Sequence, residues 1–338
     1  MKYLNIRLLA LLLLLLPLAV ACGDDDDDDG GGEPVAVSVA LDWFPWAQHS
    51  ALYLAQERGF FEEENLEVDF HVPANPEDGL RLVASGEEDF AISYQADVLI
   101  SRGEDLPVQS VAALVQHPLN SIMSLERAGI ERPADLAGKQ VGYAGLASDE
   151  ALIKAVLEAD GLTLDDIELV NVGFGLAPAL VSGQVDAVIG AYWVYETFQI
   201  ENESGETVAV LPLTAWSVPD YYELVLVTGD ELVADDPDVI ERFVRAVQRG
   251  YAAAEEDPDA AIEALLTHNT DAIEEVEEAS IELLVPFWTD EGTVDFGTQT
   301  EENWERYADW LKANELLSDD VDSMDAFTNE FVEEAAED

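Results

Sequence analysis

Six short segments of the chain together hold ten aromatic rings and several carboxyl, amide and hydroxyl groups, and none of the six contains a lysine or an arginine. Aromatic side chains stack on flat rings, and carboxylates shielded from water accept hydrogen bonds from amines or protonated ring nitrogens. The segments therefore predict a binding site for a flat, amine-bearing aromatic ligand that is neutral or cationic. They are residues 42–49, 93–97, 144–150, 173–177, 191–196 and 217–223.

Ten aromatic side chains lie in these segments. Packing in an apolar core is the simpler explanation for any one of them. As a group they fall at the predicted ends of strands, where core residues give way to loops, and this concentration favours a binding site. They are Trp43, Phe44, Trp46, Tyr94, Phe174, Tyr192, Trp193, Tyr195, Tyr221 and Tyr222.

Two of the segments close copies of one pattern, residues 82–95 and residues 180–196. Each copy reads as the end of a helix, a Ser-Gly turn, an Asp three residues after the Gly, and a short apolar strand. Two similar units imply two lobes, and ligands of open α/β sheets collect beyond the carboxyl ends of the strands. We therefore expect Tyr94 and Tyr192, at the two strand ends, to face each other across a cleft.

The chain alternates predicted strands and helices as far as Pro237, after which helical spacing dominates, with Ile240, Phe243 and Val244 on one face. This order predicts an α/β fold of two lobes. Ser148 is the predicted N-cap of one helix, whose acidic first turn suits the helix dipole. Strands are predicted at residues 35–41, 66–72, 108–115, 140–143, 167–172 and 222–227, a hairpin-like strand at 121–125, and helices at 50–59 and 79–85.

The N-terminus has the layout of a secretory signal, in which two basic residues precede an apolar run at residues 8–18. The run is too short to span a bilayer. The spacing from Ala19 to Cys22 resembles a bacterial lipobox, so we predict a signal peptide at residues 1–21 and lipidation of Cys22; an unlipidated signal peptide is the alternative. Residues 22–34 include six consecutive aspartates followed by three glycines and predict a solvated tether that holds the folded part away from a membrane.

The chain has 73 acidic and 14 basic residues and a formal charge of −59. Such a field repels nucleic acid and anionic lipid head groups, and it bears on solubility and partners more than on fold. The composition fits either a saline habitat or the ordinary bias of an acidic secreted protein. With 338 residues, 49% of them hydrophobic, the chain can still bury the cores of two lobes.

Motifs of common enzyme sites are missing from the sequence. The four histidines are far apart, and there is no HExxH, no Gly-x-Ser-x-Gly elbow and no Walker loop. Gly173-Phe174-Gly175 lacks the third glycine of a dinucleotide fingerprint and predicts a tight turn or, alternatively, a turn whose amides face a ligand. Cys22 is the only cysteine, so a disulfide is excluded. We predict no catalytic residue, no cofactor and no metal.

A set of short stretches is specific in combination: Asp42-Trp43-Phe44-Pro45 with His49, Phe60-Phe61, Leu66-Glu67-Val68, Pro73-Ala74-Asn75-Pro76, Ser93-Tyr94-Gln95, His117-Pro118-Leu119-Asn120-Ser121, Val188-Ile189-Gly190-Ala191-Tyr192-Trp193 and Val218-Pro219-Asp220-Tyr221-Tyr222-Glu223. These stretches resemble the ThiY-type substrate-binding proteins of ABC importers, a family related to the eukaryotic thiamine-pyrimidine synthases. The resemblance runs over residues 35–311. It implies a periplasmic-binding-protein type II fold and a ligand such as a formylated aminomethylpyrimidine that is salvaged for thiamine synthesis.

The resemblance also implies roles for single residues. It gives Trp43 and either Tyr192 or Trp193 a stacking role and places Glu196 on the amino edge of the ring. Many members have Asn where this chain has Trp46, which implies that a stacking group has replaced a hydrogen-bonding one. The predicted ligand-binding residues are Asp42, Trp43, Trp46, His49, Tyr94, Gly173, Phe174, Tyr192, Trp193, Glu196, Tyr222 and Glu223.

The resemblance implies two discontinuous lobes joined by a hinge. Lobe 1 is expected to hold residues 35–123 and 224–334, and lobe 2 residues 124–223, with the chain crossing near 117–124 and near 221–227. The implied partners are an aminopyrimidine, an ABC permease with its ATPase, and a membrane reached through a lipid anchor outside the cytoplasm. We expect a monomer.

Three functions from different classes stay open. A pyrimidine-binding importer component is the leading one. The second is the same fold binding another small compound, such as a sulfonate, a taurine-like compound or nitrate; anionic ligands are disfavoured by the missing Lys and Arg, although amides at helix N-termini can bind anions. The third is an enzyme similar to the eukaryotic pyrimidine synthases, which share His49 but have a cysteine-rich iron motif that a chain with one cysteine cannot form.

Overall fold

A computed structural model describes residues 33–337. The predicted signal peptide, Cys22 and the tether up to residue 32 lie outside these residues. Within the described part of the chain, no helix is both long enough and apolar enough to cross a membrane.

Ten strands lie in the described residues: β1 (Val35–Ala40), β2 (Leu66–His71), β3 (Phe90–Ser93), β4 (Val108–Val115), β5 (Asn120–Leu125), β6 (Gln140–Tyr143), β7 (Glu168–Asn171), β8 (Ala187–Tyr192), β9 (Val208–Pro212) and β10 (Leu224–Gly229). They form two mixed sheets, which we call sheet 1, with the order β2-β1-β3-β10-β4, and sheet 2, with the order β7-β6-β8-β5-β9. In each sheet one strand, β10 or β5, runs antiparallel to its neighbours. Strands β5 and β10 are buried at all six positions, although β5 has three polar residues, Asn120, Ser121 and Ser124.

Thirteen α-helices of the same residues complete this α/β arrangement. They are α1 (Ser50–Glu57), α2 (Phe60–Glu63), α3 (Gly79–Ser85), α4 (Gln95–Gly103), α5 (Ala147–Ala159), α6 (Leu176–Val181), α7 (Glu196–Ser204), α8 (Asp230–Asp235), α9 (Pro237–Glu256), α10 (Pro258–His268), α11 (Glu274–Leu284), α12 (Glu301–Ala313) and α13 (Glu330–Glu337).

Helix α9 is organised as its sequence predicts. Pro237 occupies the first turn, where a missing amide proton has no consequence. Ile240, Phe243, Val244 and Val247 are each at most 1% exposed, so the predicted apolar face is the buried face. Helix α9 packs against α1 and thereby covers sheet 1.

The repeated pattern is present in both sheets. Helix α3 ends at Gly86, and helix α6 is followed by Gly183; both glycines have a positive φ, +71° and +75°, which glycine adopts without strain. Strands β3 and β8 then follow as the middle strands of sheets 1 and 2. The repeat therefore puts one equivalent strand end into each half of the structure.

The chain passes between the sheets twice, once between β4 and β5 and once between β9 and β10. The hairpin-like strand predicted at residues 121–125 does not pair with β4; it is β5, which pairs with β8 and β9 in sheet 2. Residues 120–123 therefore lie with sheet 2, although the predicted boundary puts them in lobe 1. The division of the chain into two lobes that move as units stays a prediction.

Candidate ligand-binding site

A cavity of about 20 Å³ is lined by residues of both halves. Tyr94 follows β3 of sheet 1, and Gly190 belongs to β8 of sheet 2, so the two repeat ends share one cavity. Of the predicted site residues, Trp43, Tyr94 and Glu223 line it. The other polar residues that line it are Asn120, Ser148, Asp149 and Tyr221.

Trp43 follows β1 and is 6% exposed. Its ring lies edge-on to Phe174, with centroids 4.9 Å apart and planes at 74°. The indole N–H has no hydrogen-bond partner among residues 33–337. A buried donor without a partner is costly, so this N–H is available to a ligand acceptor in the cavity.

Asp42 and His49 hold Tyr94 rather than line the cavity. The Tyr94 hydroxyl donates to Asp42 Oδ2 over 3.0 Å, and His49 Nε2 lies 2.7 Å from Asp42 Oδ1. Burial, followed by the nearby Asp42 carboxylate, raises the pKa of Tyr94 well above its usual value, so the hydroxyl stays protonated. The two residues thus position a cavity wall.

Glu223 links the two passages of the chain between the sheets. Its Oε2 accepts hydrogen bonds from the backbone amides of Leu119, at 2.6 Å, and Asn120, at 2.9 Å, and from the Tyr221 hydroxyl, at 3.2 Å. Burial raises its pKa to about 7, against the opposing effect of these bonds. Glu223 therefore combines a position on the cavity wall with a structural role at the expected hinge.

Glu196 begins α7 and is 4% exposed, but it does not line the cavity. Its Oε2 accepts the Tyr192 amide at 2.8 Å, closing the turn after β8. Burial raises its pKa to about 8, and the nearby Asp42 and Glu223 act in the same direction. The Tyr192 hydroxyl is buried near Glu223, and it acts to lower the pKa of that carboxyl.

Several predicted stacking residues stack on protein side chains. The rings of Trp46 and Tyr195 lie 4.1 Å apart at 13°, and the Tyr195 hydroxyl donates to Glu277 of α11 over 2.7 Å. Trp193 lies edge-on to Phe287, with centroids 5.8 Å apart. These contacts join the loop after β8 to segments packed on sheet 1.

Tyr222 and Gly173 also make contacts within the protein. The Thr300 backbone amide donates to the Tyr222 hydroxyl over 2.8 Å, whereas the adjacent Tyr221 lines the cavity. The Gly173 amide donates to Asn171 Oδ1 over 3.0 Å, and φ at Gly173 is +52°. The glycine segment therefore forms the predicted tight turn, and this amide points to its own loop.

Ser148 is not the N-cap of α5. The helix begins one residue earlier, at Ala147, and the Ser148 hydroxyl donates to Asp97 Oδ2 over 2.5 Å. Asp97 belongs to α4, which follows β3, so this buried bond joins the two halves. Ser148 lines the small cavity, and Asp97 lines a second one of about 190 Å³.

Sequence reasoning missed Asn120 and Asp149 as residues of the site. Segment 144–150 contains Asp149, but its place in a helical first turn suggested only a favourable interaction with the helix dipole. In the structure Asp149 is 1% exposed, and burial raises its pKa to about 8. No local signal distinguishes an acid that only interacts with the helix dipole from one that lines the cavity, because the cavity is made by segments far apart in the chain.

The electrostatics of this region are those of buried acids. Besides Glu277, five carboxyl side chains are at most 8% exposed, and no Lys or Arg of the described residues lines the small cavity. No group of His, Cys, Asp and Glu in residues 33–337 is arranged to hold a metal. The arrangement can accept hydrogen bonds from amines or balance a cation, and it opposes anions. The five are Asp42, Asp97, Asp149, Glu196 and Glu223.

Comparison with known proteins assigns the chain to a family. The model of the NMT1/THI5-like family matches residues 46–261. The chain belongs to the NMT1/THI5-like family. It is 40% identical over 297 residues to the formylaminopyrimidine-binding protein of Halalkalibacterium halodurans, covering 87% of this chain and 89% of the relative.

Two further proteins show how widely the fold is used. A protein of Legionella pneumophila named 4-amino-5-hydroxymethyl-2-methylpyrimidine phosphate synthase is 24% identical over 304 residues, which cover 88% of this chain and 92% of that protein. The alkanesulfonate-binding protein SsuA of Xanthomonas axonopodis superimposes with a TM-score of 0.68 at 16% identity, over 88% of this chain and 99% of SsuA. The predicted periplasmic-binding-protein type II fold is confirmed.

Proposed function

We propose that this protein is the solute-binding component of an ABC importer and binds a thiamine pyrimidine precursor of the formylaminopyrimidine or hydroxymethylpyrimidine type. The similarity to a formylaminopyrimidine-binding protein over nearly the whole chain supports this ligand class. The importer role follows from the family resemblance and the binding-protein fold.

The observation that carries the proposal is the pairing of aromatic walls with buried acids in the small cavity. Trp43, Tyr94 and Tyr221 offer ring surfaces, and Asp149 and Glu223 offer carboxyl oxygens. A ring with an exocyclic amine satisfies both, because the rings stack and the amine donates to a carboxyl.

The cavity must widen to take such a ring. A volume of about 20 Å³ is close to the space that one water molecule needs. The Asp97–Ser148 hydrogen bond and the Trp46–Tyr195 stack both join the two halves, and parting them would connect the small cavity to its larger neighbour. We therefore propose that the halves act as lobes that open to admit ligand and close on it, with closure driven by better ligand contacts in the closed state.

We propose that this protein binds its ligand without catalysing a reaction. Its family also contains proteins named as pyrimidine phosphate synthases, so a pyrimidine is a common feature of both classes. A synthase of the eukaryotic type relies on a cysteine-rich iron motif, and Cys22 is the only cysteine of this chain. Incubation with a pyrimidine ligand should leave it chemically unchanged, as mass spectrometry can show.

Outside the described residues, we propose that Cys22 carries lipid and that the acidic tether holds the protein at the outer face of the cytoplasmic membrane. A lipid anchor near a permease raises the local concentration of the loaded protein. We propose a monomer as the form that meets the permease and its ATPase.

Calorimetric titration of the folded protein tests the ligand class. An aminopyrimidine should bind, whereas an alkanesulfonate, taurine and nitrate should not, because the cavity offers carboxyls and no cationic side chain. Binding of a sulfonate with no binding of a pyrimidine would overturn the proposal in favour of the second function. Native mass spectrometry of the protein from its own cells should show a co-purified pyrimidine.

A further inference from the structure

Asp149 lies in the first turn of α5 and lines the small cavity together with Trp43, Tyr94 and Glu223. It is 1% exposed and belongs to the sheet 2 half, whereas Trp43 and Tyr94 follow strands of sheet 1. A ligand between the halves would therefore meet the Asp149 carboxyl from the side opposite Trp43 and Tyr94.

An irregularity in β8 makes room for this carboxyl. Ala191 pairs with Ser121 and Ile189 with Ile122, so Gly190 between them is a bulge without a partner residue in β5. Its φ is +94°, and a Cβ added there would lie 3.1 Å and 3.2 Å from the two Asp149 oxygens. A side chain at position 190 would displace the carboxyl, so the glycine is required where it stands.

The carboxyl is held in one orientation. Oδ2 accepts the Ala144 amide over 3.1 Å. Asn120 lies beside it, since the Gly190 amide donates to Asn120 Oδ1 over 3.0 Å, and the Asn120 side chain acts to lower the pKa of Asp149. These contacts use donors of the protein and leave the carboxyl with further acceptor capacity toward the cavity.

Among residues 33–337, no cationic side chain balances Asp149. Burial has the largest effect on its pKa, and the charged groups that raise it further are Asp97 of α4 and Glu223 before β10. The tyrosines that face it, Tyr94 and Tyr221, have their own pKa values raised partly by this carboxyl. An amine or a protonated ring is the kind of group that this surrounding lacks.

We propose that Asp149 is a ligand-binding residue that accepts a hydrogen bond from the amino group of the bound pyrimidine. The proposal rests on the proposed function and adds a carboxyl that neither the motif pattern nor the family resemblance singled out. The unpartnered Trp43 N–H, which is nine-tenths buried on the other wall, is an independent sign that polar ligand atoms are received in this cavity.

Asp149→Asn tests the proposal with little change of volume. The Ala144 amide donates to Oδ2, so the asparagine oxygen must take this position. The new NH₂ group then stands where Oδ1 was and would face the ligand amine donor to donor. Glu150→Gln is the matched control, because Glu150 is the next residue in the same helix and is exposed. The probes are an aminopyrimidine and the same pyrimidine without its amino group, titrated calorimetrically against wild type and both variants.

The expected result is a loss of about tenfold or more in affinity of Asp149→Asn for the aminopyrimidine, on the scale of leaving a buried donor without an acceptor. Its affinity for the compound without the amino group should stay within about threefold of wild type, and Glu150→Gln should bind both normally. Unchanged binding of the aminopyrimidine by Asp149→Asn overturns the proposal. An equal loss for both compounds also overturns it, because Asp149 would then only shape the site.

Gly190→Ala gives a second reading if Asp149→Asn does not fold. It keeps the carboxyl but displaces it, so the loss should again be greater for the aminopyrimidine than for its analogue. If wild type binds neither compound, the proposed function fails and this inference fails with it. That outcome differs from a failure of the inference alone, in which wild type still binds the aminopyrimidine.

Discussion

Replacing Glu196 by glutamine should make the unliganded protein more stable at neutral pH and leave it no more stable in acid. Glu196 is 4% exposed, and its pKa in the folded protein is raised from 4.5 to about 8 by burial. When folding raises the pKa of a carboxyl, its contribution to the free energy of unfolding is fully present below the unfolded pKa. That contribution is lost as the pH rises toward the folded pKa. The window here runs from about pH 4.5 to about pH 8.

The size of the effect follows from the two pKa values. A difference of one pKa unit corresponds to about 1.4 kcal/mol, so at pH 7 the buried carboxyl costs on the order of 3 kcal/mol relative to acid. Glutamine removes this cost. The glutamine carbonyl can still accept the Tyr192 amide. Its NH₂ group, however, cannot accept from the backbone N–H groups at the start of α7, which lowers the free energy of unfolding by about 1 kcal/mol. The variant should therefore gain on the order of 2 kcal/mol at pH 7.

Urea unfolding at several pH values between 4.5 and 8 measures the difference directly. The control is Glu203→Gln, since Glu203 is exposed on the same helix, α7. If the stability difference between Glu196→Gln and wild type is the same at pH 4.5 and pH 7, the carboxyl is not buried in solution and the reasoning is refuted. The same variant also tests the role predicted for Glu196 on the amino edge of the ligand: a tenfold loss of affinity supports it, and normal affinity makes Glu196 a structural residue.

Three other predictions concern the anchor, the closure and the hinge. Cys22→Ser should release the protein from membranes into the medium or periplasm, and a variant that still fractionates with membranes would exclude the anchor. Ligand should lower the radius of gyration measured by small-angle scattering, and Tyr195→Phe, which removes the hydrogen bond to Glu277, should weaken closure; an unchanged radius at saturation would favour a rigid pocket. His117 bonds to Asp220 and Asp290 across the first passage between the sheets, and these partners raise its pKa to about 9. The stabilising effect of His117 should be present below about pH 6.5 and lost as the pH rises through 9. His117→Gln should therefore make the free energy of unfolding less dependent on pH between pH 7 and pH 10. A pH dependence as steep as that of wild type would contradict this.

Much of the fold follows from local signals in the sequence. The Ser-Gly turns, the apolar strands and the buried face of α9 depend on neighbours in the chain, and the structure confirms them. The hairpin-like strand predicted at residues 121–125 is a strand, but its partners could not be predicted, because a strand that is buried at every position carries no mark of the sheet to which it belongs. Ser148 failed as an N-cap for a similar reason: its partner, Asp97, lies 51 residues away.

The site was less predictable than the fold. Tyr221 and Tyr222 are adjacent and chemically alike, and successive residues of an extended segment point to opposite sides, so the sequence could not choose which of them lines the cavity. Trp46 has the ring of a ligand-stacking residue, yet its flat neighbour is Tyr195. In both cases the sequence placed an aromatic side chain at a strand end. Whether that side chain meets the cavity or another part of the protein depends on tertiary contacts.

The buried acids offer a physical basis for the proposed coupling of ligand binding to closure. Each carboxyl enclosed without a cation must either stay protonated or remain ionised at a high energetic cost. The Asp149 carboxyl lines the cavity between the two halves, so in the proposed closed form this cost is present as long as no ligand is bound. An amine-bearing ligand supplies the missing donor only when both halves surround it, and its contribution is therefore larger in the closed form than in an open one. An anion would add to the cost in the same place, so we expect these acids to select for the charge of the ligand as well as for its shape.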